Sequence, residues 1–203
     1  STSDDADAYA AGLDIDTSDD LIDNTINNSG TIRADARSEG DSADAHADGI
    51  DFDQNNVDNE INNSGTIIAN AQAQSTNGEA HAQARGIHFE VNDGKITNTG
   101  FISATANAVS AGGEAEQEAF GVYIEGDNNK LENSGTIFAD LGDANAAIYV
   151  EGDDGEVSLL NGSLIQGRIV IDGDDNTLKV GDGYDAVWTI TGDMDEITIV
   201  DDG

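Results

Sequence analysis

A five-residue signature returns along this chain at a fixed interval: Asn28-Ser29-Gly30-Thr31-Ile32, Asn63-Ser64-Gly65-Thr66-Ile67, Asn98-Thr99-Gly100-Phe101-Ile102 and Asn133-Ser134-Gly135-Thr136-Ile137. Its glycines are separated by equal steps of 35. A degenerate copy, Asn161-Gly162-Ser163-Leu164, follows with its glycine 27 residues later. A unit of this size cannot bury its own apolar face, whereas stacked copies share one continuous core. The period therefore restricts the chain to a stacked array.

A second landmark fills each interval. Gly12-Leu13-Asp14-Ile15, Gly49-Ile50-Asp51-Phe52, Gly86-Ile87-His88-Phe89, Gly121-Val122-Tyr123-Ile124 and Ala147-Ile148-Tyr149-Val150 each alternate apolar with polar residues. Alternation with a period of two marks strands with one buried face. Between the landmarks alanine alternates with polar residues, as in Ala34 and Ala36, then Ala43, Ala45 and Ala47. Turn residues such as Ser75-Thr76-Asn77-Gly78 sit midway, so each tract reads as a hairpin-like arm. Alanine also has the best helix propensity, but these tracts carry no apolar stripe at helical spacing. The chain has no proline, so every position can join a ladder.

The expected fold is all-β: a right-handed parallel β-helix, or β-solenoid, with Ala-rich strand-turn-strand arms whose two sheets approach closely. Rungs would lie about 4.8 Å apart. It reads as a single solenoid over residues 1–203, with a partial N-terminal rung (1–22), rungs of about 35 residues (23–155) and shorter Gly/Asp-rich rungs (156–203). Stacking turns sequence repeats into columns. Asn28, Asn63, Asn98 and Asn133 are expected to form an amide ladder, with Gly30, Gly65, Gly100 and Gly135 beside them in a turn that a side chain would obstruct. Both columns are structural devices.

Forty-two acidic residues against seven basic ones give a net charge of −35, which excludes nucleic acid and anionic membranes as electrostatic partners and makes cations the natural ones. Aromatic residues make up 5% of the chain, so the core must be thin and built from small and aliphatic side chains. There is no cysteine, and regular backbone pairing has to replace disulfides. No window approaches the run of about eighteen apolar residues that spans a bilayer, so no membrane insertion of this segment is expected. The first residue is Ser1, which reads as a processed or excised chain.

The Asn-Ser-Gly-Thr-Ile rungs over residues 21–167, with the tail segments Asp175–Gly183 and Val187–Gly192, resemble the passenger region of bacterial autotransporters. That resemblance implies a long parallel β-helix exported across the outer membrane to the cell surface. It further implies a role in adhesion, aggregation or surface coating, as in a biofilm, with homotypic self-association or a host or neighbouring cell surface as partner. Expected, then, is a non-catalytic extracellular adhesin or stalk. The alternative is the subunit of a filament joined head to tail: Ala6–Asp16 match the second half of a rung, and an unpaired strand edge is a template for another strand.

Acidic turns follow each landmark strand. Besides Asp16 to Asp20 they include Asp51, Asp53, Glu90, Asp93, Glu125, Asp127, Glu151, Asp153, Asp172 and Asp174. Stacked carboxylates repel by about 0.9 kcal/mol per pair at rung spacing even at the dielectric constant of water. Ca²⁺, which takes oxygen ligands, would relieve that repulsion, and the acidic column is the candidate metal site, although neither an EF-hand nor a β-roll nonapeptide is present. His46 and His81 read as exposed strand histidines, and His88 as a lone outward residue. A polysaccharide lyase or glycosidase is the less expected class: the seven basic residues are dispersed, and no aromatic cluster marks a sugar subsite. Tyr184, Trp188 and Met194 are expected to cover the last rung.

Overall fold

The computed structural model describes residues 5–15, 23–140, 145–181, 190–191 and 196–199. The acidic segment Asp16–Asp20, the arm tip Leu141–Ala144 and the residues Tyr184, Trp188 and Met194 lie outside the described residues, as does the side chain of Asp53. Strands follow one another in rungs: β1 (Asp5–Ile15), β2 (Thr25–Asn28) and β3 (Thr31–Gly40); β4 (Ser42–Val57), β5 (Glu60–Asn63) and β6 (Thr66–Ser75); β7 (Ala80–Asn92), β8 (Lys95–Asn98) and β9 (Phe101–Ser110). They continue with β10 (Ala115–Glu125), β11 (Lys130–Asn133) and β12 (Thr136–Ala139), then β13 (Ala146–Glu151), β14 (Glu156–Leu159) and β15 (Leu164–Gln166). The last are β16 (Ile169–Asp172), β17 (Thr177–Val180), β18 (Ile190–Thr191) and β19 (Glu196–Ile199).

Up to β17 every third strand joins the same sheet. β1-β4-β7-β10-β13-β16-β18 form the first sheet, β2-β5-β8-β11-β14-β17-β19 the second and β3-β6-β9-β12-β15 the third. All pairings are parallel, and the described residues contain no helix. The fold is a β-solenoid.

Register turns the repeat into apolar columns. Ile26, Ile61, Ile96, Leu131, Val157 and Leu178 lie one above another in the second sheet, and Ile32, Ile67, Ile102, Ile137 and Ile165 in the third. Phe52 and Phe89 meet edge to face in the core with ring centroids 5.7 Å apart. Beside this core the alanines of β3 and β6 face those of β4 and β7, nearly all buried. The hairpin-like reading of the arms is corrected at this point. The two halves of an arm do not pair with each other; each pairs with its counterpart on the neighbouring rung, Ala36 with Ala71 and Ala45 with Ala82. Only small side chains allow two such sheets to approach closely.

The first interval of 35 conceals two offsetting changes. Gly40 and Ala43 pair with Ser75 and Ala80, so the first complete arm is two residues shorter at its tip. Phe52 pairs with Phe89 but Asn56 with Val91, an irregularity that restores the two residues inside β4.

Two asparagine ladders hold the rungs. Asn28 Nδ2 donates to Asn63 Oδ1 at 2.8 Å, Asn63 to Asn98 at 2.8 Å and Asn98 to Asn133 at 2.7 Å. The adjoining glycines are needed for space. A Cβ on Gly65 or Gly100 would lie 2.1 Å from the carbonyl oxygen of the glycine one rung earlier, and one on Gly135 would lie 2.2 Å from it. The degenerate copy is shifted: Leu159, not Asn161, pairs with Asn133, and the Ser163 hydroxyl accepts the last ladder bond. The second ladder has no counterpart among the sequence expectations. At its corner the positive-φ residues Asp23, Asp58, Asp93, Asn128, Asp154 and Asp175 recur, a conformation that Asp and Asn tolerate better than most. The next residue along is Asn24, Asn59, Gly94, Asn129, Gly155 or Asn176. The Asn129 side chain accepts from the Gly94 amide at 2.9 Å, and Asn176 from Gly155 at 2.7 Å.

Candidate functional site

The first sheet carries the chemistry because its strands change parity at one glycine column. Ala43, Ala45 and Ala47 point inward at odd numbers, whereas Ile50 and Phe52 point inward at even ones. The switch falls at Gly49, and equally at Gly86 and Gly121. A Cβ on any of these would sit within 2.4–2.6 Å of both a carbonyl oxygen of the next rung and an isoleucine of the third sheet. Residues flanking the glycine, three apart, therefore converge on the outer face: Phe120 and Tyr123 bring their rings to 5.1 Å.

Three columns meet there. Asp48, Arg85 and Phe120 stack in register, as do Asp51, His88, Tyr123 and Tyr149, and then Glu90, Glu125, Glu151 and Asp172. Arg85 Nε donates to Asp48 Oδ1 at 2.7 Å and Nη2 to Oδ2 at 3.1 Å, with His46 Nε2 lying 2.8 Å from both Nη2 and Oδ2. His88 Nδ1 lies 2.7 Å from Asp51 Oδ1 and Nε2 lies 2.7 Å from Glu125 Oε2. Each nitrogen faces a carboxylate, an arrangement that favours the imidazolium form of the ring. Burial and the nearby Arg85 oppose that charge, but hydrogen bonds to Asp51 and Glu125 outweigh them and raise the His88 pKa. Burial also works against the Asp51 carboxylate, yet bonds from His88 and Tyr9 hold its pKa below the usual range. Tyr9 Oη donates to Asp51 Oδ2 at 3.0 Å and Tyr123 Oη to Glu151 Oε2 at 2.9 Å. Burial and these carboxylates push both phenol pKa values up.

His88 is outward, as its parity requires, but it is only 5% exposed and is not alone. Atoms of His88, Glu90 and Glu125 able to ligate a metal all lie within 4.8 Å of one another. Glu90 and Glu125 were expected in one acidic column, and they pair there with Glu151 and Asp172. Asp127, Asp153 and Asp174 form a separate one. The Asp127 carboxylate accepts the Asp153 amide at 3.0 Å, and the Asp153 carboxylate accepts the Asp174 amide at 2.8 Å. These side chains bridge rungs as backbone acceptors, which offsets much of the repulsion expected of stacked carboxylates. Asp93 stands one position on, in the positive-φ column, and Asn92 takes the place in line with Asp127, accepting its amide at 2.8 Å.

His46 and His81 occupy different columns. His46 pairs with Tyr9 and Gln83, while His81 pairs with Asp44, whose carboxylate lies 3.3 Å from its Nδ1. Aromatic rings do gather on this face, where none were expected to mark a sugar subsite: Phe120, Tyr123 and Tyr149 pack together with centroids 5.0–5.5 Å apart, and the His88 ring stacks on Tyr123 at 5.5 Å. His88, Tyr123 and Tyr149 are separated by 35 and 26 residues along the chain and are collected by stacking, while Phe120 joins Tyr123 through the parity change at Gly121. Comparison of the chain with family models, with curated proteins and with solved structures finds no match.

Proposed function

We propose that the chain is a non-catalytic extracellular module, a stalk or adhesin of the autotransporter passenger kind, working at a bacterial cell surface. The observation that carries this reading is the use made of the repeat. Asn28, Asn63, Asn98 and Asn133 all turn inward into one bonded ladder, so each repeat adds a rung and leaves its outer face free to vary. A protein assembled in this way gains length and repeated surface, the two properties a surface rod needs. The acidic exterior keeps such a rod soluble and fits cations as its small partners, calcium among them.

Beads coated with the chain are expected to attach to one another or to cells more than beads coated with an unrelated protein of equal negative charge. Attachment at the control level overturns the adhesive reading.

A filament subunit is the second reading, favoured by the sheet edges. β1, β2 and β3 each end their sheet and have no partner on the outer side among the described residues. Where no further rung precedes them, a second copy can pair there. Electron microscopy at high concentration distinguishes the two: filaments support assembly, and dispersed particles count against it.

A further inference from the structure

We propose that His88, Glu90 and Glu125 bind one divalent transition-metal ion of the zinc type, with Asp51 orienting the imidazole. The inference is independent of the adhesive reading. It rests on three observations.

First, the donor set is one imidazole nitrogen and two carboxylates, all within 4.8 Å of one another. Calcium prefers oxygen donors throughout, whereas zinc, cobalt and manganese accept this mixture.

Second, the imidazole is already held as a metal ligand is held. Histidine ligands characteristically donate their other ring N–H to a carboxylate, which fixes tautomer and orientation. Here Nδ1 donates to Asp51 at 2.7 Å, and the other Asp51 oxygen is fixed by Tyr9 at 3.0 Å. Nε2, facing Glu125 at 2.7 Å, is the nitrogen left for the ion. Loading replaces the Nε2 proton, which leaves to solvent, and the metal takes the place of the present Nε2–Glu125 hydrogen bond. Tyr123 covers one face of the ring at 5.5 Å.

Third, among the described residues the arrangement occurs on one rung. The equivalents of His88 along its column are Asp14, Asp51, Tyr123, Tyr149, Val170 and Thr191, so among them stacking supplies an imidazole beside the glutamate column once. Arg85 is the neighbouring cation, and Asp48 neutralises it through two hydrogen bonds. Glu151, next in register after Glu125, accepts from Tyr123 Oη at 2.9 Å and so holds the ring that covers the imidazole.

The test titrates Zn²⁺, and Co²⁺ as its coloured substitute, into the chain in about 0.15 M salt with excess Ca²⁺ and Mg²⁺, which occupy and screen the diffuse carboxylates. Binding is read by calorimetry and by NMR of the imidazole nitrogens. One ion per chain is expected, with the His88 resonances shifted and those of His46 and His81 unmoved. His88→Gln removes the site. Glu90→Gln, which leaves the Asp51-His88-Glu125 chain of bonds intact, should weaken binding at least about tenfold with the β circular dichroism spectrum retained. No saturable binding above the calcium background, unweakened binding by Glu90→Gln, or a shift centred on His81 would each overturn the proposal.

Discussion

Arg85 lies across Asp48 in a two-pronged ion pair, Nε to Oδ1 at 2.7 Å and Nη2 to Oδ2 at 3.1 Å, over a carboxylate that is 0% exposed. A charge so buried is tolerated because its partner is fixed one rung away. Removing that partner leaves the carboxylate with His46 Nε2, 2.8 Å away, but without its fixed charge. Arg85→Met is expected to cost about 3–5 kcal/mol, measured by urea unfolding. Asp48→Asn added to Arg85→Met should recover part of the loss, since no stranded charge remains; an unimproved double variant would show that packing and not charge dominates.

Asn98 is fully buried in the middle of the first ladder, accepting from Asn63 at 2.8 Å and donating to Asn133 at 2.7 Å. Asn98→Ala leaves a donor on Asn63 and an acceptor on Asn133 without their ladder partners. Each such group costs about 1–3 kcal/mol, so a loss of about 3 kcal/mol is expected, read from the midpoint and slope of chemical denaturation.

Gly100 and Gly30 belong to the same column but meet different neighbours. A Cβ on Gly100 would lie 2.1 Å from the Gly65 carbonyl oxygen, whereas on Gly30 its nearest contact is Asn28 Oδ1 at 4.0 Å. Gly100→Ala must push two rungs apart and should cost about 1–3 kcal/mol or more. Gly30→Ala should leave the melting temperature within about 1 °C of the parent, a difference corresponding to a few tenths of a kcal/mol. Equal effects would mean that the glycines serve backbone conformation and not spacing.

Lys179 Nζ donates to Glu156 Oε2 at 2.5 Å across two rungs, and this bond lowers the Glu156 pKa from its ordinary 4.5. The contribution is fully present above that value and is lost as pH falls through the lower folded-state pKa. Both groups are partly exposed, so Lys179→Met should cost no more than about 1 kcal/mol at neutral pH. The gap between variant and parent should close as pH falls through the lowered folded-state pKa and Glu156 protonates in both states. Calorimetry across that range checks it; a constant gap would assign the effect to the lysine stem.

The Asn28 column was legible because identical residues return at a constant interval, and one asparagine can bond another only if the rungs stack. The second ladder was less so. Its positions mix two types, Asn24, Asn59, Gly94, Asn129, Gly155 and Asn176, because the Asn59, Asn129 and Asn176 side chains accept from a backbone amide of the rung before, which asparagine and glycine both supply. The recurring pair of Asp or Asn followed by Asn or Gly, from Asp58-Asn59 to Asp175-Asn176, was the signal available to find it. The outer site left no such trace: Asp51, His88 and Tyr123 occupy equivalent positions but share no chemistry, and repetition cannot point to residues that do not repeat.

By itself the sequence determined the strands, their inward faces and the fact of stacking, because alternation and period are properties of neighbours along the chain. Which residue stands over which was decided only by the tertiary structure. His88 lies 37 residues from both Asp51 and Glu125, yet within hydrogen-bonding distance of each. Those contacts depend on compensating insertions at an arm tip and inside β4, and on the parity change at Gly49, Gly86 and Gly121. Register is a sum over every residue in a rung, so a shift of one or two positions anywhere rewrites the columns. That is why the chemistry of this surface belongs to the stack and not to any segment of it.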